Sequence, residues 1–334
     1  MGTCTFRSTL ASRLQAFLDT RIAMGRKGAA DRKILTYIDR FLMSELKSGQ
    51  PITSEIIERW FKSMEYLSTG TRINRISIMR QFCYYLSHFD PRTCVIHRSF
   101  LPRRIRPVPH IYSMQEVCAI IEAAKQIGPA GSLRPAVTST IIGLLYSTGL
   151  RIGEALKLTL ADVDLQGRLL TIRKTKFMKS RYVPLSPSTV DHLTVFLRHR
   201  KGAGFPITST APVFIRASGQ AYTPLKICQI LLEILRDIGL RGPKGERGPR
   251  LHDFRHSFAV TRLALWYQEG ADINAKLPLL ATYLGHTTLV GTQVYLHATA
   301  ELLEKSSTLF HNRFAVPPLP PLNLNTEVDH DKEH

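Results

Sequence analysis

The sequence predicts a mainly α protein with a small antiparallel β-sheet, divided into a helical N-terminal domain and an α+β second domain. Three observations carry this. Apolar residues recur at helical spacing through most of the chain. Only the stretch around 169–185 has the character of paired strands. Between two helical regions lies HRSFLPRRIRPVP (97–109), whose prolines and arginines suit neither a helix nor an interior strand. The boundaries that follow are 1–97 for the first domain, 98–109 for an extended basic linker, 110–312 for the second domain, and 313–334 for a disordered tail, proline-rich and then polar.

In order, residues 9–24 set Leu10, Leu14, Phe17, Leu18 and Ile22 on one helical face, and 29–46 do the same with Ile34, Leu35, Ile38, Phe41 and Leu42. Thr53 reads as the N-cap of a third helix bearing Ile56, Ile57, Trp60 and Phe61. In a fourth, 71–88, Arg72, Arg75 and Arg80 interleave with Ile73, Ile76, Ile78 and Met79. Alone, that pattern equally describes a solvated charged face. In a strongly basic chain it reads as a helix that neutralises phosphates. The linker arginines Arg98, Arg103, Arg104 and Arg106 can track a phosphate backbone too.

In the second domain Ser113 caps a helix over 114–126, with Gln115 and Glu116 in its first turn. Residues 135–148 are apolar nearly all round, which predicts a buried helix. It stops at Gly149 and leads into Arg151, after which Ile152, Ala155, Leu156 and Leu158 bury the next face. Residues 162–165 form a turn, and 169–173 and 182–185 form a hairpin whose loop holds Lys174, Lys176 and Lys179. A short apolar piece covers 212–215, and helices follow over 225–239, 251–267, 277–284, 288–296 and, short and amphipathic, 298–309. The loop RGPKGERGPR (241–250) is glycine-rich and basic, with Lys244, Arg247 and Arg250. Its three collagen-like triplets are far too few for a triple helix.

Charge narrows the function. Of 334 residues 44% are hydrophobic, ordinary for a chain with a real core, but the formal net charge is +19 and the pI about 10.0. Such an excess favours a polyanionic partner, nucleic acid first. An anionic membrane surface competes poorly without a basic amphipathic helix carrying an aromatic face. Cys4, Cys83, Cys94, Cys118 and Cys228 are odd in number and include no CxxC pair, against both a disulfide framework and a zinc site. The start MGTCTFRSTL has no signal-peptide core, and Phe6 breaks the myristoylation pattern. No apolar run approaches the ~20 residues that span a bilayer. The expectation is a cytoplasmic protein associated with DNA, without a metal or other cofactor.

Four segments carry unusual polar residues: Arg151; Lys176 in the hairpin loop; His252 and Arg255 in LHDFRHSF; and His286 and Tyr295 in LGHTTLVGTQVYLH. Each has a plain structural reading. Arg151 could pair with Glu154 on the surface, His252 and Arg255 could share one helix face, His286 could cap a helix end, and Tyr295 could be core. Their joint order and spacing outweigh those readings.

TGLRIGEALKLTLADVD, TKFMKSRYVPL, LHDFRHSFAV and LGHTTLVGTQVYLH together resemble the catalytic domain of the tyrosine recombinases, the phage-integrase and Xer-type family. The likeness runs from about 110 to 310 and includes the step of nine residues from His286 to Tyr295. The N-terminal helices resemble that family's core-binding domain in position, charge and helical content. Phe254 departs from the leucine common before the second arginine, a packing change.

The resemblance implies a division of labour. Arg151 and Arg255 hold the two non-bridging oxygens of a scissile phosphate, which planar, always-charged guanidiniums suit. Tyr295 attacks phosphorus, and since a phenol has a pKa of about 10 it needs help to lose its proton. His252 is the family's base and His286 a further phosphate hydrogen bond, although the sequence alone does not separate the two imidazoles. Lys176 protonates the departing 5′ oxygen, with Lys174 and Lys179 as rivals. Glu154 orients Arg151 or His252. Tyr283 is a rival nucleophile whose spacing fails the pattern. The function implied is site-specific cutting and rejoining of double-stranded DNA through a 3′-phosphotyrosine and a Holliday junction. Four protomers would act on paired sites, with the 298–309 helix docking either on a neighbour or on its own domain. The alternatives are relaxation of DNA like that of a type IB topoisomerase, and a non-catalytic DNA-binding relative.

Overall fold

The computed structural model describes residues 6–26, 28–103, 108–129, 131–173 and 180–286, together with Thr292 and Tyr295. The chain divides into two compact units, Met1–Pro107 and Val108–His334. Most of the described secondary structure is helical, and the strands form one antiparallel three-stranded sheet. This is the fold class that the periodicity predicts.

In the first unit α1 (Ala11–Ala23), α2 (Gly28–Glu45), α3 (Ser54–Lys62) and α4 (Thr69–Ser87) enclose a core of Leu14, Leu18, Leu35, Ile38, Leu42, Trp60, Met79 and Phe82. Thr53 stands at the N-cap of α3 but makes no side-chain cap hydrogen bond. Polar ties lock the bundle. Arg21, 5% exposed, donates to Asp31 at 2.7 Å and to Gln81 at 2.5 Å, joining α1, α2 and α4. The α4 arginines are half-buried, and Arg75 lies 3.9 Å over the Tyr37 ring, so packing within this unit occupies it. Residues 98–100 make a single 3₁₀ turn instead of extended chain, and Phe100 sits 6.2 Å from Phe61. Arg103 is exposed, while Arg104 and Arg106 lie outside the described residues.

In the second unit α5 (Met114–Lys125) opens with a capping box: Ser113 Oγ accepts from Glu116 N, and Glu116 accepts from Ser113 N. The buried α6 (Arg134–Thr148) packs against α5 and later helices. Its interior Thr138, Ser139 and Thr148 hydroxyls donate to carbonyls one turn back, so none of these three is stranded there. After the single turn α7 (Ile152–Ala155), strands β1 (Val163–Asp164), β2 (Leu169–Ile172) and β3 (Arg181–Pro184) pair in the order β1-β2-β3. Leu170 pairs with Val183, and both are buried. The stretch expected to be only a turn therefore contributes a third strand. Residues 174–179, with all three hairpin lysines, lie outside the described residues.

The helix α8 (Pro187–Gly202) has no counterpart among the elements expected from the sequence. Its start is explicable, since Ser186 accepts from Thr189 N and Pro187 occupies the first turn. Helix α9 (Pro224–Asp237) follows, then α10 (Asp253–Gln268) and α11 (Ile273–Leu284). The last starts four residues before the predicted 277, because Asp272 caps it by accepting from Asn274 and Ala275, and it accommodates Pro278 internally. α10 starts two residues later than predicted, which leaves His252 at the cap. The predicted helix at 298–309 and the tail at 313–334 lie outside the described residues.

Candidate active site

Three chain reversals converge: the end of α6, the start of α10 and the end of α11. The first and last need glycine. Gly149 has φ +62°, and a Cβ there would lie 2.6 Å from Phe258 Cδ1. Gly285 has φ +65°, and its Cβ would lie 2.9 Å from Arg181 Nη1. A side chain at either would strain the backbone and push on a neighbour.

The reversals aim their carbonyls inward, and two arginines collect them. Arg255, 1% exposed, donates from Nη1 to Gly149 O at 2.8 Å and from Nη2 to Leu284 O at 2.5 Å. Arg151 also reaches Leu284 O, at 3.4 Å, and donates from Nη2 to Gly285 O at 3.2 Å. Two guanidiniums thus meet at one carbonyl. Burial first, and then the Arg151 charge, bring Arg255 down to about 10. A buried cation with a second beside it is a site that favours an anion.

The nearby carboxylate is Glu154. It accepts from Arg151 N at 3.1 Å and Arg151 Nη1 at 3.0 Å, and from Arg181 Nη1 at 3.2 Å and Nη2 at 2.8 Å. Burial pushes this carboxyl up, but the bonds and charges of Arg181 and Arg151 outweigh it and hold the group below its usual value. Of the two partners expected for Glu154, Arg151 is the one it binds. Arg181, which does not stand out in the sequence, is the second.

Tyr295 is 3% exposed and lies between imidazoles, its ring centroid 5.4 Å from His256 and 6.1 Å from His286. Burial raises its phenol above the ordinary value, while the charge and hydrogen bond of Arg255, and then the Arg151 charge, pull the other way. His286 Nδ1 is 2.8 Å from Thr292 Oγ1. Burial and the neighbouring Arg255 and Arg151 bring His286 down to about 4. His252, the most exposed of the imidazoles, is also lowered, by partial desolvation and then by Arg255. His256 packs edge-on to His252 at 4.8 Å and is brought down to about 4 by burial and by His252. Burial and neighbouring charge therefore disfavour the charged form of all three imidazoles.

Five of the six expected residues, Arg151, His252, Arg255, His286 and Tyr295, therefore share one site, and Lys176 lies outside the described residues. His256 is a second residue that sequence reasoning missed; its place directly after Arg255 was the available signal. Tyr283, the rival phenol, instead stacks on Phe258 at 5.3 Å and is pushed up to about 12 by burial. Phe254 fills the core, stacked at 4.4 Å on Tyr112. Of the basic loop, Lys244 and Arg247 are exposed, while Arg250 bonds Asp253 at 2.9 Å.

Arginines, imidazoles and a tyrosine around an anion site suit attack of a phenol on a phosphate ester. Residues 112–301 match the model of the phage integrase family. The provisionally named integrase/recombinase y4rB of Sinorhizobium fredii is 33% identical over 311 residues, covering 92% of this chain and 98% of that protein. Tyrosine recombinase XerA of Pyrococcus furiosus is 26% identical over 302 residues, covering 89% and 94%. Among solved structures, the Tn1549 transposon integrase bound to transposon right end DNA superposes with a TM-score of 0.62 at 17% identity, over 91% of this chain and 99% of that one. XerH bound to palindromic difH does so at 0.61 and 22%, over 83% and 78%. The two structures share the fold, the relatives share the sequence across nearly the whole chain, and on that ground the chain belongs to the phage integrase family of tyrosine recombinases.

Proposed function

We propose that this chain is a site-specific recombinase of double-stranded DNA that cuts and rejoins strands through Tyr295. The observation that carries the reading is the convergence of Arg151 and Arg255 on the Leu284 carbonyl, beside the buried Tyr295 and the imidazoles of His256 and His286. A phosphodiester is the anion that uses both features. Its non-bridging oxygens take the guanidinium donors, and preorganised donors stabilise the charge that builds there in the transition state.

In the proposed step the Tyr295 oxygen bonds to phosphorus as the bond from phosphorus to the 5′ oxygen breaks. The phenol proton passes to an imidazole. His252, at the open edge, is our choice of base, and His286 supplies a further hydrogen bond to the phosphate. Lys176 gives a proton to the departing 5′ oxygen. The phosphotyrosine conserves the ester bond, so a 5′-hydroxyl from a second duplex can reverse the step with no cofactor. Exchange of strands in pairs leads through a Holliday junction and calls for four protomers on two sites, with the 298–309 segment as the candidate link between neighbours. The helical unit 1–97 would grip the DNA with Arg72 and Arg80, the linker with Arg103, Arg104 and Arg106, and the second unit with Lys174, Lys179, Lys244, Arg247 and Arg250. Such work belongs in the cytoplasm, with the DNA.

The test works whatever the target sequence is. The protein is mixed with lightly nicked fragments of its source DNA, denatured, and whatever stays covalently attached is recovered. A nick near the cleavage point releases the short 5′-hydroxyl strand and traps the intermediate. Adducts at a discrete sequence, abolished by Tyr295→Phe with binding retained, are expected. Adducts scattered over many sequences would point to relaxation of the topoisomerase kind. Tight binding with no adduct would point to a non-catalytic relative.

A further inference from the structure

We propose that Arg181 is a positioning residue for strand cleavage: it shares Glu154 with Arg151 and thereby keeps the Arg151 guanidinium available to the scissile phosphate. The inference rests on the function proposed above and adds a residue to it.

Charge is out of balance at this corner of the site. Arg151, Arg181 and Arg255 surround a single carboxylate, that of Glu154. If Arg151 alone held it, the best arrangement would be a bidentate pair, with both guanidinium edges turned toward the carboxylate and away from any phosphate. Instead Arg151 sends one nitrogen, Nη1, to Glu154 Oε1 at 3.0 Å, whereas Arg181 takes both oxygens, at 3.2 and 2.8 Å. Burial separates the two roles further. The Arg181 side chain is 12% exposed and that of Arg151 38%. The enclosed arginine neutralises the carboxylate, and the open one faces the place where an anion would arrive.

Arg181 is held to this task from a third direction. Its Nε donates to Tyr283 O at 2.7 Å, the carbonyl two residues before Gly285, and its Nη1 lies 2.9 Å from where a Gly285 Cβ would stand. One side chain thus joins three parts of the site: the first residue of β3, five residues after Lys176 in the sequence; the carboxylate that clamps Arg151; and the helix end that presents His286. Removing it should let Arg151 collapse onto Glu154 and loosen both flanks. A displacement of about 1 Å among reacting groups can cost on the order of 100-fold in rate, so a loss of that size is expected.

The experiment uses a synthetic nicked duplex carrying the discrete adduct sequence recovered as described above. Two versions are compared, one with an ordinary scissile phosphate and one with a methylphosphonate, which replaces one non-bridging oxygen by methyl and removes the negative charge. Arg181→Ala should slow adduct formation on the phosphate on the order of 100-fold, with the Kd for the duplex little changed. On the methylphosphonate its defect should shrink along with that of Arg151→Ala, because the demand for a second guanidinium is smaller there. Arg181→Lys, which retains the charge but cannot span Glu154 and the Tyr283 carbonyl together, should fall between wild type and Arg181→Ala, and it carries the same test if the alanine variant does not fold. Equal defects on both substrates, a loss of binding that accounts for the loss of rate, or a wild-type rate in Arg181→Ala would each overturn the proposal. Failure of the wild-type protein to form any Tyr295 adduct would instead sink the recombinase reading itself.

Discussion

Gly149→Ala is the perturbation whose size the structure specifies best. An alanine at φ +62° occupies the left-handed region at a cost of about 1–2 kcal/mol. Its Cβ would also lie 2.6 Å from Phe258 Cδ1 and 3.2 Å from Leu284 Cδ2, contacts that force the ring aside. Overpacking of this kind costs about 1–3 kcal/mol. The expected loss is therefore about 2–5 kcal/mol. Gly219 is a built-in control, since it has φ +76° with nothing within 4 Å of where the alanine methyl would stand, so Gly219→Ala should cost only the backbone part. Urea unfolding followed by Trp266 fluorescence suits the comparison, in a Trp60→Phe background because the chain's two tryptophans fall one in each unit. A double-mutant cycle with Phe258→Ala should recover most of the difference between the two glycines. Because Gly149 O accepts from Arg255 at 2.8 Å and Arg151 lies two residues on, Gly149→Ala should also slow adduct formation in protein that remains folded. Equal losses for Gly149→Ala and Gly219→Ala, or no coupling to Phe258, would refute the steric reasoning.

Acid should destabilise the second unit earlier than carboxylate protonation alone would. His256 and His286 sit at about 4 in the folded chain against 6.5 when exposed, so between those values the unfolded chain binds more protons and stability rises with pH. Unfolding midpoints should accordingly fall as pH drops from 6.5 toward 4, and His256→Gln should flatten part of the slope; a midpoint constant from pH 7 to about pH 5 would contradict the burial of these rings. Lys176→Ala should slow cleavage of an ordinary phosphate strongly but that of a 5′-thiol leaving group much less, since a thiolate departs without a proton. An equal defect on both substrates would remove Lys176 from the acid role and turn attention to Lys174 and Lys179.

Much of this fold was legible because one-sided burial writes a local period. Leu14 and Leu18 in α1, or Ile38 and Leu42 in α2, are buried as their spacing predicts. Ser113 with Glu116 announced the start of α5, and Gly149 the end of α6. α8 escaped notice because Leu193 and Phe196 are its only buried apolar residues, and its Ser-Pro start also reads as a turn. β1 is two residues long, too short to carry an alternation.

By itself the sequence determined the helical character, the large positive charge and the family, all of which rest on residue types and near-neighbour spacing. It also named Arg151, Lys176, His252, Arg255, His286 and Tyr295 as a set, of which all but Lys176 fall among the described residues. Which arginine answers which backbone carbonyl was decided by the tertiary structure. Arg151 meets the Leu284 carbonyl across 133 residues, Arg255 that of Gly149 across 106, and Arg181 that of Tyr283 across 102. No local period encodes such pairings, because they arise only when the ends of α6 and α11 are packed side by side and their last carbonyls, left unpaired by the helix, must find donors. Arg181 entered the site by that route. Its neighbours in space, rather than in sequence, give it a role.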